Sequence, residues 1–517
     1  MGWRIGIDVG GTNTDAVLVE GRQVLRWVKT PTTPEVGEGI QKAVREIIRD
    51  ADPARIEAVM LGTTHFTNAV VERRHLTPVA VIRLAKPAGQ SLPPMCDWPE
   101  DLRGKMEAGS YILPGGFEFD GRPLAPLDEE RLWQIGRELR EGGVAAAAIS
   151  SVFAALDDSM EKRAAAILQE AHPQLLITLS SEIGGTGLLE RENAAILNAG
   201  LMPLARRMLG HFEASLRQLQ VEAPIYLTQN DGTVLHRDVA IRRPIMTFSS
   251  GPTNSMRGAA FLTGLHDGVV IDVGGTTTDV GVLRQGFPRP AGATVEVGGV
   301  RTHFRMPDVY SIGLGGGSYV SFQPPAVGPQ SAGYRIREEA YCFGGRRWTA
   351  TDVAVALGLA EVGEKNLIPL VKLQDLEAVR DWMVKKVALA VDRMKTSSDP
   401  VPAILVGGGS ILLPEDLPGT SAVLRPDYFA VANAIGAAWA QIGGEVERVV
   451  RFEGKDRAQV WEELFAEAKE QAVAAGADPA TVEIADREEV PLAYLPGQAS
   501  RVRVKAVGDL RAKGEAL

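Results

Sequence analysis

The stretch Asp272-Val-Gly-Gly-Thr-Thr-Thr-Asp279 is preceded by the apolar run Gly268-Val-Val-Ile271 and followed by Val280-Gly-Val-Leu283. Apolar flanks predict two buried strands. The paired glycines predict a tight turn between them, because glycine reaches backbone angles that side chains forbid. Such a turn gathers backbone N–H groups, three hydroxyls and two carboxylates in a small space. N–H groups and hydroxyls can surround phosphate oxygens, and a carboxylate at a strand end can hold magnesium, usually through water. Taken singly, the stretch reads equally well as a plain β-turn, since Asp and Gly are ordinary turn residues. It occurs twice, however. Asp8-Val-Gly-Gly-Thr-Asn-Thr-Asp15 follows Arg4-Ile-Gly-Ile7, and seven of its eight positions are identical to the later copy. A third glycine turn, Gly407-Gly-Gly-Ser410, follows another apolar strand signal at 402–406. Two copies 264 residues apart point to two lobes of similar fold whose turns face one cleft.

The periodicities around these turns order the rest of the chain. Strands are expected at 3–9, 14–19 and 23–29, the last two forming a hairpin around Glu20-Gly21-Arg22. A helix opening at Pro34 runs to about Arg49, with Val36, Ile40, Val44 and Ile47 on one face. Strand 58–62, helix 67–74 and strand 78–82 follow, which is the order of a ribonuclease-H-like unit. Residues 85–125 are dense in proline and glycine and sustain no period, so they read as an insertion or long loop. Beyond them come helix 128–142, strand 144–153, helix 157–171, strand 174–181 and a long helix 188–218 suited to crossing between lobes. Strand 224–228, a small-residue helix at 254–264, a loop-rich region at 285–348 and helices 350–361 and 374–396 precede the third turn. Tyr428–Ile442 reads as a last apolar helix. A helix at 456–475 and strands near 480–485, 490–495 and 500–506 close the chain.

With 517 residues, of which 45% are hydrophobic, the chain has material for several domains. A net charge of -10 argues against a nucleic-acid surface but leaves room for a local ATP site. Two cysteines, Cys96 and Cys342, make no disulfide framework. The first strand begins almost at once, with no signal-peptide pattern, and no apolar run is long enough for a membrane span. A cytoplasmic protein is therefore expected. No P-loop, His-Glu-x-x-His or Gly-x-Ser-x-Gly pattern is present.

The order of Asp8–Asp15, Asp272–Asp279 and Gly407–Ser410 resembles the actin, sugar-kinase and heat-shock ATPase superfamily. The resemblance implies an α/β fold of two ribonuclease-H-like, actin-like ATPase lobes around a nucleotide cleft, with a small C-terminal α/β appendage. It implies an N-terminal ATPase lobe at 1–187 with an insertion at 85–125, a second lobe at 188–447 and the appendage at 448–517. Asp8 and Asp272 would face Mg²⁺. Gly10, Gly11, Thr12, Asn13 and Thr14, and likewise Gly274, Gly275, Thr276 and Thr277, would cradle the phosphates of ATP. Gly315, Gly316, Gly408 and Gly409 would complete the nucleotide site.

A narrower resemblance covers almost the whole chain. Gly62-Thr-Thr-His-Phe-Thr-Asn68, Glu190-Arg-Glu-Asn193, Gln229-Asn-Asp-Gly232, Ser250-Gly-Pro252, Gly313–Ser318 and Gly328-Pro-Gln-Ser-Ala-Gly333 join the two turns. Together they are similar to the A subunit of the hydantoinase/oxoprolinase family. Asn13, His65-Phe66 and Tyr334-Arg-Ile-Arg-Glu-Glu339 depart from that family's usual pattern. The resemblance implies ATP-dependent opening of a cyclic amide such as a hydantoin, lactam or oxoproline, by phosphorylation of the amide oxygen, with a B-type partner subunit in a hetero-oligomer. An ATP-dependent carboxylase subunit, a small-molecule kinase and a partner-remodelling ATPase are the alternatives. Asp8, Asp272 and Thr64 are the candidate catalytic residues, with Thr64 placed for a substrate or phosphate contact at a helix N-terminus. Its plain alternative is a helix cap by Thr63 or Thr64.

Overall fold

The computed structural model describes residues 2–32, 36–185, 187–292 and 295–511. The expected helix start at Pro34 and residues 512–517 lie outside these. Three larger sheets organise the chain. The first has nine strands. From one edge they are Gln23–Pro31, Asn13–Glu20, Trp3–Val9, Ile56–Thr63, Ile225–Thr228, Thr233–His236, Gln441–Arg451, Ala499–Gly508 and Glu483–Pro491. Its opening three strands form an antiparallel meander, and Trp3–Val9 pairs in parallel with Ile56–Thr63. The second sheet repeats the plan. Gly268–Val273 pairs antiparallel with Thr278–Arg284 and parallel with Val401–Val406, which pairs in parallel with Thr420–Leu424. The third sheet is wholly parallel, in the order Glu107–Pro114, Val79–Lys86, Ala146–Ser151, Leu176–Leu179.

Two crossing helices lie between the first and second sheets. Helix Ala432–Ala438 packs Ala434, Ile435 and Ala438 on Val17 and Val19 of the first sheet. Helix Ser250–Thr263 packs Met256, Ala259 and Ala260 on Val270, Leu283, Ile404 and Val406 of the second. Where they cross, only glycine fits. A β-carbon on Gly258 would stand 1.9 Å from the Ala432 carbonyl oxygen, and one on Gly436 would stand 1.9 Å from that of Asn254. Gly6 lets the same helix settle on the first strand, since a β-carbon there would lie 2.1 Å from the Ala434 carbonyl oxygen. These backbone contacts bring polar side chains of the two helices within reach of carboxylates beside the two glycine turns.

Several expectations change. Residues 85–125 carry helix Glu100–Met106 and strand Glu107–Pro114. The strand lies at a sheet edge with a mostly solvated face, so it lacks the apolar alternation that marks a strand in sequence. Strand Val79–Lys86 does not extend the first sheet but founds the third. Residues 225–228 and 233–236, expected in the second lobe, sit in the first sheet. The final apolar helix ends at Ala438, and Gln441 already begins an eleven-residue strand. That strand crosses the expected boundary at 447/448, so the C-terminal segment continues the first sheet rather than standing apart. Glu483–Pro491 is one strand where two short ones were expected. Helix Leu188–Gln218 is unbroken at Pro203, and its first turns dock on the third sheet rather than bridging the two turn-bearing sheets. Glu192 pairs with Arg83 of that sheet, both side chains being buried, and Arg191 donates to Ser180 Oγ and to the carbonyls of Ser151 and Gly185. Of the two thiols, Cys96 is exposed and Cys342 buried, the latter pushed up to about 12 by burial and by nearby Asp352.

Candidate functional site

The two turns are built alike and face each other. In the first, Gly10 N–H donates to the Asn13 carbonyl at 3.0 Å; in the second, Gly274 N–H donates to that of Thr277 at 2.9 Å. Asp8 stands across its hairpin from Asp15, and Asp272 across its own from Asp279. The Thr12 and Thr276 hydroxyl oxygens meet across the cleft at 3.4 Å. Gly275 makes that approach possible, because a β-carbon there would stand 2.7 Å from Thr12 Oγ1. Gly11 has open space where a side chain would be, and Thr276 and Thr277 are exposed. Asn13 borders the turn, whereas Thr14 is buried and serves through its carbonyl, which accepts from the Thr30 hydroxyl.

Each turn is braced from behind. Thr32 N–H donates to the Thr12 carbonyl at 2.9 Å, and the Thr32 hydroxyl donates to that of Gly10 at 2.8 Å. The 313–318 loop plays this part for the second turn. Gly316 N–H donates to the Gly274 carbonyl at 3.0 Å, and Gly317 N–H to that of Gly275 at 2.7 Å. Gly315 N–H is taken by Ser318 Oγ at 2.9 Å. Gly316 therefore spends its N–H group as a brace for the turn, and Gly315 spends its own within the 313–318 loop. Gly409 packs on Val273 and Gly274, and Gly407, at a φ of +81°, leaves room for Asp272 Oδ1, which would stand 2.2 Å from a β-carbon. Gly408 faces open space, with only the Lys29 side chain near it.

The carboxylates are held by the crossing helices. Asn254 Nδ2 donates to Asp8 Oδ1 at 3.0 Å and to Thr228 Oγ1 at 3.1 Å. Asn433 Nδ2 lies 3.0 Å from Asp8 Oδ2 and 3.0 Å from Asp15 Oδ2. Ser255 Oγ donates to Asp272 Oδ2 at 2.5 Å, and the Ser311 hydroxyl donates to Asp279. Lys29 Nζ reaches both oxygens of Asp15, at 2.8 and 2.7 Å. Gly62 makes space for this array, as a β-carbon on it would stand 2.4 Å from Asp8 Oδ1. Burial raises the Asp8 carboxyl to about 6, against the pull of Asn254. Asp272 and Asp279 are half-buried, yet burial raises both, Asp279 to about 6. Asn254, Ser255, Asn433, Lys29 and Ser311 were not singled out by sequence. For Asn254, Ser255 and Asn433 the available signal was polar residues inside otherwise small or apolar helices; Lys29 and Ser311 lie on strands and carried none.

Thr64 borders the first turn. Its hydroxyl donates to the Val9 carbonyl at 3.5 Å and accepts from Asn68 Nδ2 at 3.4 Å, long contacts that leave it loosely held. Capping falls instead to Thr63, whose hydroxyl accepts from His65 N–H at 3.1 Å. Burial lowers the pKa of His65. Asp231 caps its own turn through Thr233 N–H and Thr233 Oγ1, at 2.9 and 2.7 Å. Burial opposes its ionisation, but Lys505 at 2.8 Å more than offsets this and brings the carboxyl down to about 2. A cavity of about 1930 Å³ lies away from both turns, lined by residues such as Asn230, His303, Arg305, Glu447 and Arg501.

Two meander sheets with facing turns, joined by a crossed helix pair, define an α/β protein of two ribonuclease-H-like, actin-like lobes. The chain belongs to the hydantoinase/oxoprolinase family: the family model of the N-terminal region matches residues 4–172, and the hydantoinase/oxoprolinase model matches 191–388. It is 27% identical over 426 residues to the caprolactamase subunit alpha of Pseudomonas jessenii, covering 76% of this chain and 60% of that protein. It is 24% identical over 428 residues to the acetophenone carboxylase gamma subunit of Aromatoleum aromaticum, covering 74% of this chain and 57% of that one. These matches thus span about three fifths of each relative's length. The fold is that of the ATP-dependent caprolactamase from Pseudomonas jessenii, with a TM-score of 0.76 at 19% identity over 98% of this chain and 88% of that one. An acetone carboxylase solved without nucleotide gives a TM-score of 0.66 at 16% identity, with the same coverage. Among the described residues, no helix is long and apolar enough to cross a membrane.

Proposed function

We propose that this chain is the ATP-using subunit of an enzyme that opens cyclic amides, and that it phosphorylates the amide oxygen. One observation carries the reading: two near-identical glycine–threonine turns meet at 3.4 Å with a buried or half-buried carboxylate behind each. An unstrained amide is a poor electrophile. Bonding its oxygen to the γ-phosphorus, as the bond from that phosphorus to ADP breaks, turns the carbonyl carbon into a site that water attacks. The ring C–N bond then breaks with a proton delivered to nitrogen, and a second water releases the phosphate. Phosphoryl transfer of this kind needs positioning and charge neutralisation above all. The N–H groups and hydroxyls of the turns would hold the phosphates. Thr64, loosely held beside Val9, would position the acceptor. The chain's two lobes would be the first and second sheets, each with its own turn.

The acids fit Mg²⁺. Four carboxylates, Asp8, Asp15, Asp272 and Asp279, stand close enough to influence one another, with the single ammonium of Lys29 among them. Among the described residues, no three Asp, Glu, His or Cys side chains are arranged to chelate an ion directly. That suits magnesium, which keeps several waters and takes phosphate oxygens as ligands. Asp8 and Asp272 would hold it, and when bound it would neutralise charge on the transferring phosphoryl group. The relatives' description as subunits supports a second polypeptide, which in this reading is of the B type and completes ring opening.

The decisive assay is ATP turnover with lactams, hydantoins, ketones and sugars, with and without a co-expressed partner. ADP release that keeps pace with ring opening supports the proposal. A second reading, an ATP-dependent carboxylase subunit, is favoured by the similarity to a carboxylase gamma subunit. Ketone- and bicarbonate-dependent ADP release would establish it. A stable phosphorylated product would mark a kinase, and stimulation by partner protein alone a remodelling ATPase.

A further inference from the structure

The duplication extends one strand beyond the turns, and there the two halves differ. Asp15 stands across its hairpin from Lys29, and Asp279 stands across the second sheet from Ser311. Lys29 and Ser311 thus occupy corresponding positions, one bringing a charge and the other none. A lysine ammonium has three N–H groups, and the structure offers three acceptors. Two are the oxygens of Asp15, at 2.8 and 2.7 Å; the third is the carbonyl oxygen of Ala430, at 3.0 Å. Ala430 is 401 residues away in sequence and adjoins Phe429, whose carbonyl accepts the Gly407 N–H at 2.8 Å. The lysine Cε lies 3.7 Å from where a β-carbon on Gly408 would stand. The Lys29 side chain keeps 27% of its surface exposed, against 3% for Asp15.

We propose that Lys29 is a positioning residue that fastens the first phosphate turn to the Gly407–Ser410 turn and takes Asp15 out of the set of carboxylates open to a divalent cation. This deepens the nucleotide reading above and rests on it. A side chain with every donor engaged is held in one geometry. Here that geometry joins an acid beside the phosphates to the backbone that shapes the opposite end of the nucleotide site. The internal cation also neutralises Asp15 in the first turn, whereas Asp279 in the second has the uncharged Ser311 hydroxyl at the corresponding place. The bound cation is thereby directed to Asp8 and Asp272 rather than to Asp15. Lys29 contacts none of the reacting atoms and acts through Asp15 and Ala430.

The test uses the full chain with Lys29→Met and Lys29→Arg, each checked for native circular dichroism. Mg-ADP affinity is measured by calorimetry, and free Mn²⁺ affinity without nucleotide by electron paramagnetic resonance. Loss of the tether weakens nucleotide binding, and loss of the internal cation strengthens that of a free cation. Lys29→Met is therefore expected to lower Mg-ADP affinity by about tenfold and to raise Mn²⁺ affinity by about tenfold. Lys29→Arg, which keeps the charge but not the three-donor geometry, should lose nucleotide affinity without gaining Mn²⁺ affinity. Opposite signs in Lys29→Met are the signature, because damage to the fold would lower both. Both affinities within about twofold of wild type, or both falling together, would overturn the inference. Wild-type protein that bound Mn²⁺ but no Mg-ADP would overturn the nucleotide reading itself, and this inference with it.

Discussion

Replacing Asp8 with asparagine should make the protein more stable and inactive at once. Asp8 is 4% exposed. A carboxyl held at about 6 rather than 3.8 costs the folded state about 3 kcal/mol wherever both folded and unfolded chains are ionised. The sign follows from the raised value. The cost is absent below about pH 4, grows as the pH rises to about 6 and is constant above that. Asparagine removes the charge and keeps the shape. Its Oδ1 takes the place of the oxygen that accepts from Asn433, and its Nδ2 faces Asn254. A flip of the Asn254 amide then presents Oδ1 to both that Nδ2 and the Thr228 hydroxyl. The charge-assisted bonds become neutral ones, at a cost of about 1 kcal/mol, which leaves a net gain of about 2 kcal/mol at about pH 7.5. Urea unfolding read at about pH 7.5 and about pH 5 checks this, since about half of the charge cost has disappeared at the lower value. ATP turnover, measured in parallel, should be abolished. Three results would count against the argument: a variant no more stable than wild type at about pH 7.5, a gain equal at both pH values, or turnover near the wild-type rate.

Thr276→Val should raise the KM for ATP about tenfold with little change in stability, because Thr276 is exposed and its hydroxyl faces only Thr12 and the cleft; steady-state kinetics and a melting curve check both halves. Gly258→Ala should cost about 3 kcal/mol, at the upper end of overpacking penalties, since the new carbon meets the Ala432 backbone with nothing flexible to move. The same change should reduce ATP turnover by displacing Asn254 and Asn433, measurable as denaturant midpoint and ADP release. Arg83→Met should cost about 3–5 kcal/mol by leaving Glu192 buried and unpaired, and Arg83→Met with Glu192→Leu should recover most of that in the same unfolding assay.

The turns were legible because their chemistry is local. Two glycines, flanking apolar runs and an eight-residue repeat specify strand, turn and strand without reference to anything distant. Most of the strands and helices were legible for the same reason. Edge strands such as Glu107–Pro114 and Thr420–Leu424 were not, because a strand with few buried positions leaves little pattern. Sheet membership could not be read either. Val79–Lys86 follows the first lobe's strands in sequence but founds another sheet, and Gln441–Arg451 returns to the first sheet near the end of the chain. Pairing over such distances is decided by which faces remain to be buried once the layers stack.

The sequence by itself determined that two like turns exist, that each carries carboxylates beside glycines and threonines, and which family the chain belongs to. Only the tertiary structure decided what holds those carboxylates. Asn254 and Asn433 lie 246 and 425 residues from Asp8, each a polar residue on a helix built largely of small residues. Nothing in their spacing points to Asp8. They reach it because Gly258 and Gly436 let two helix backbones touch, and that contact belongs to neither segment on its own.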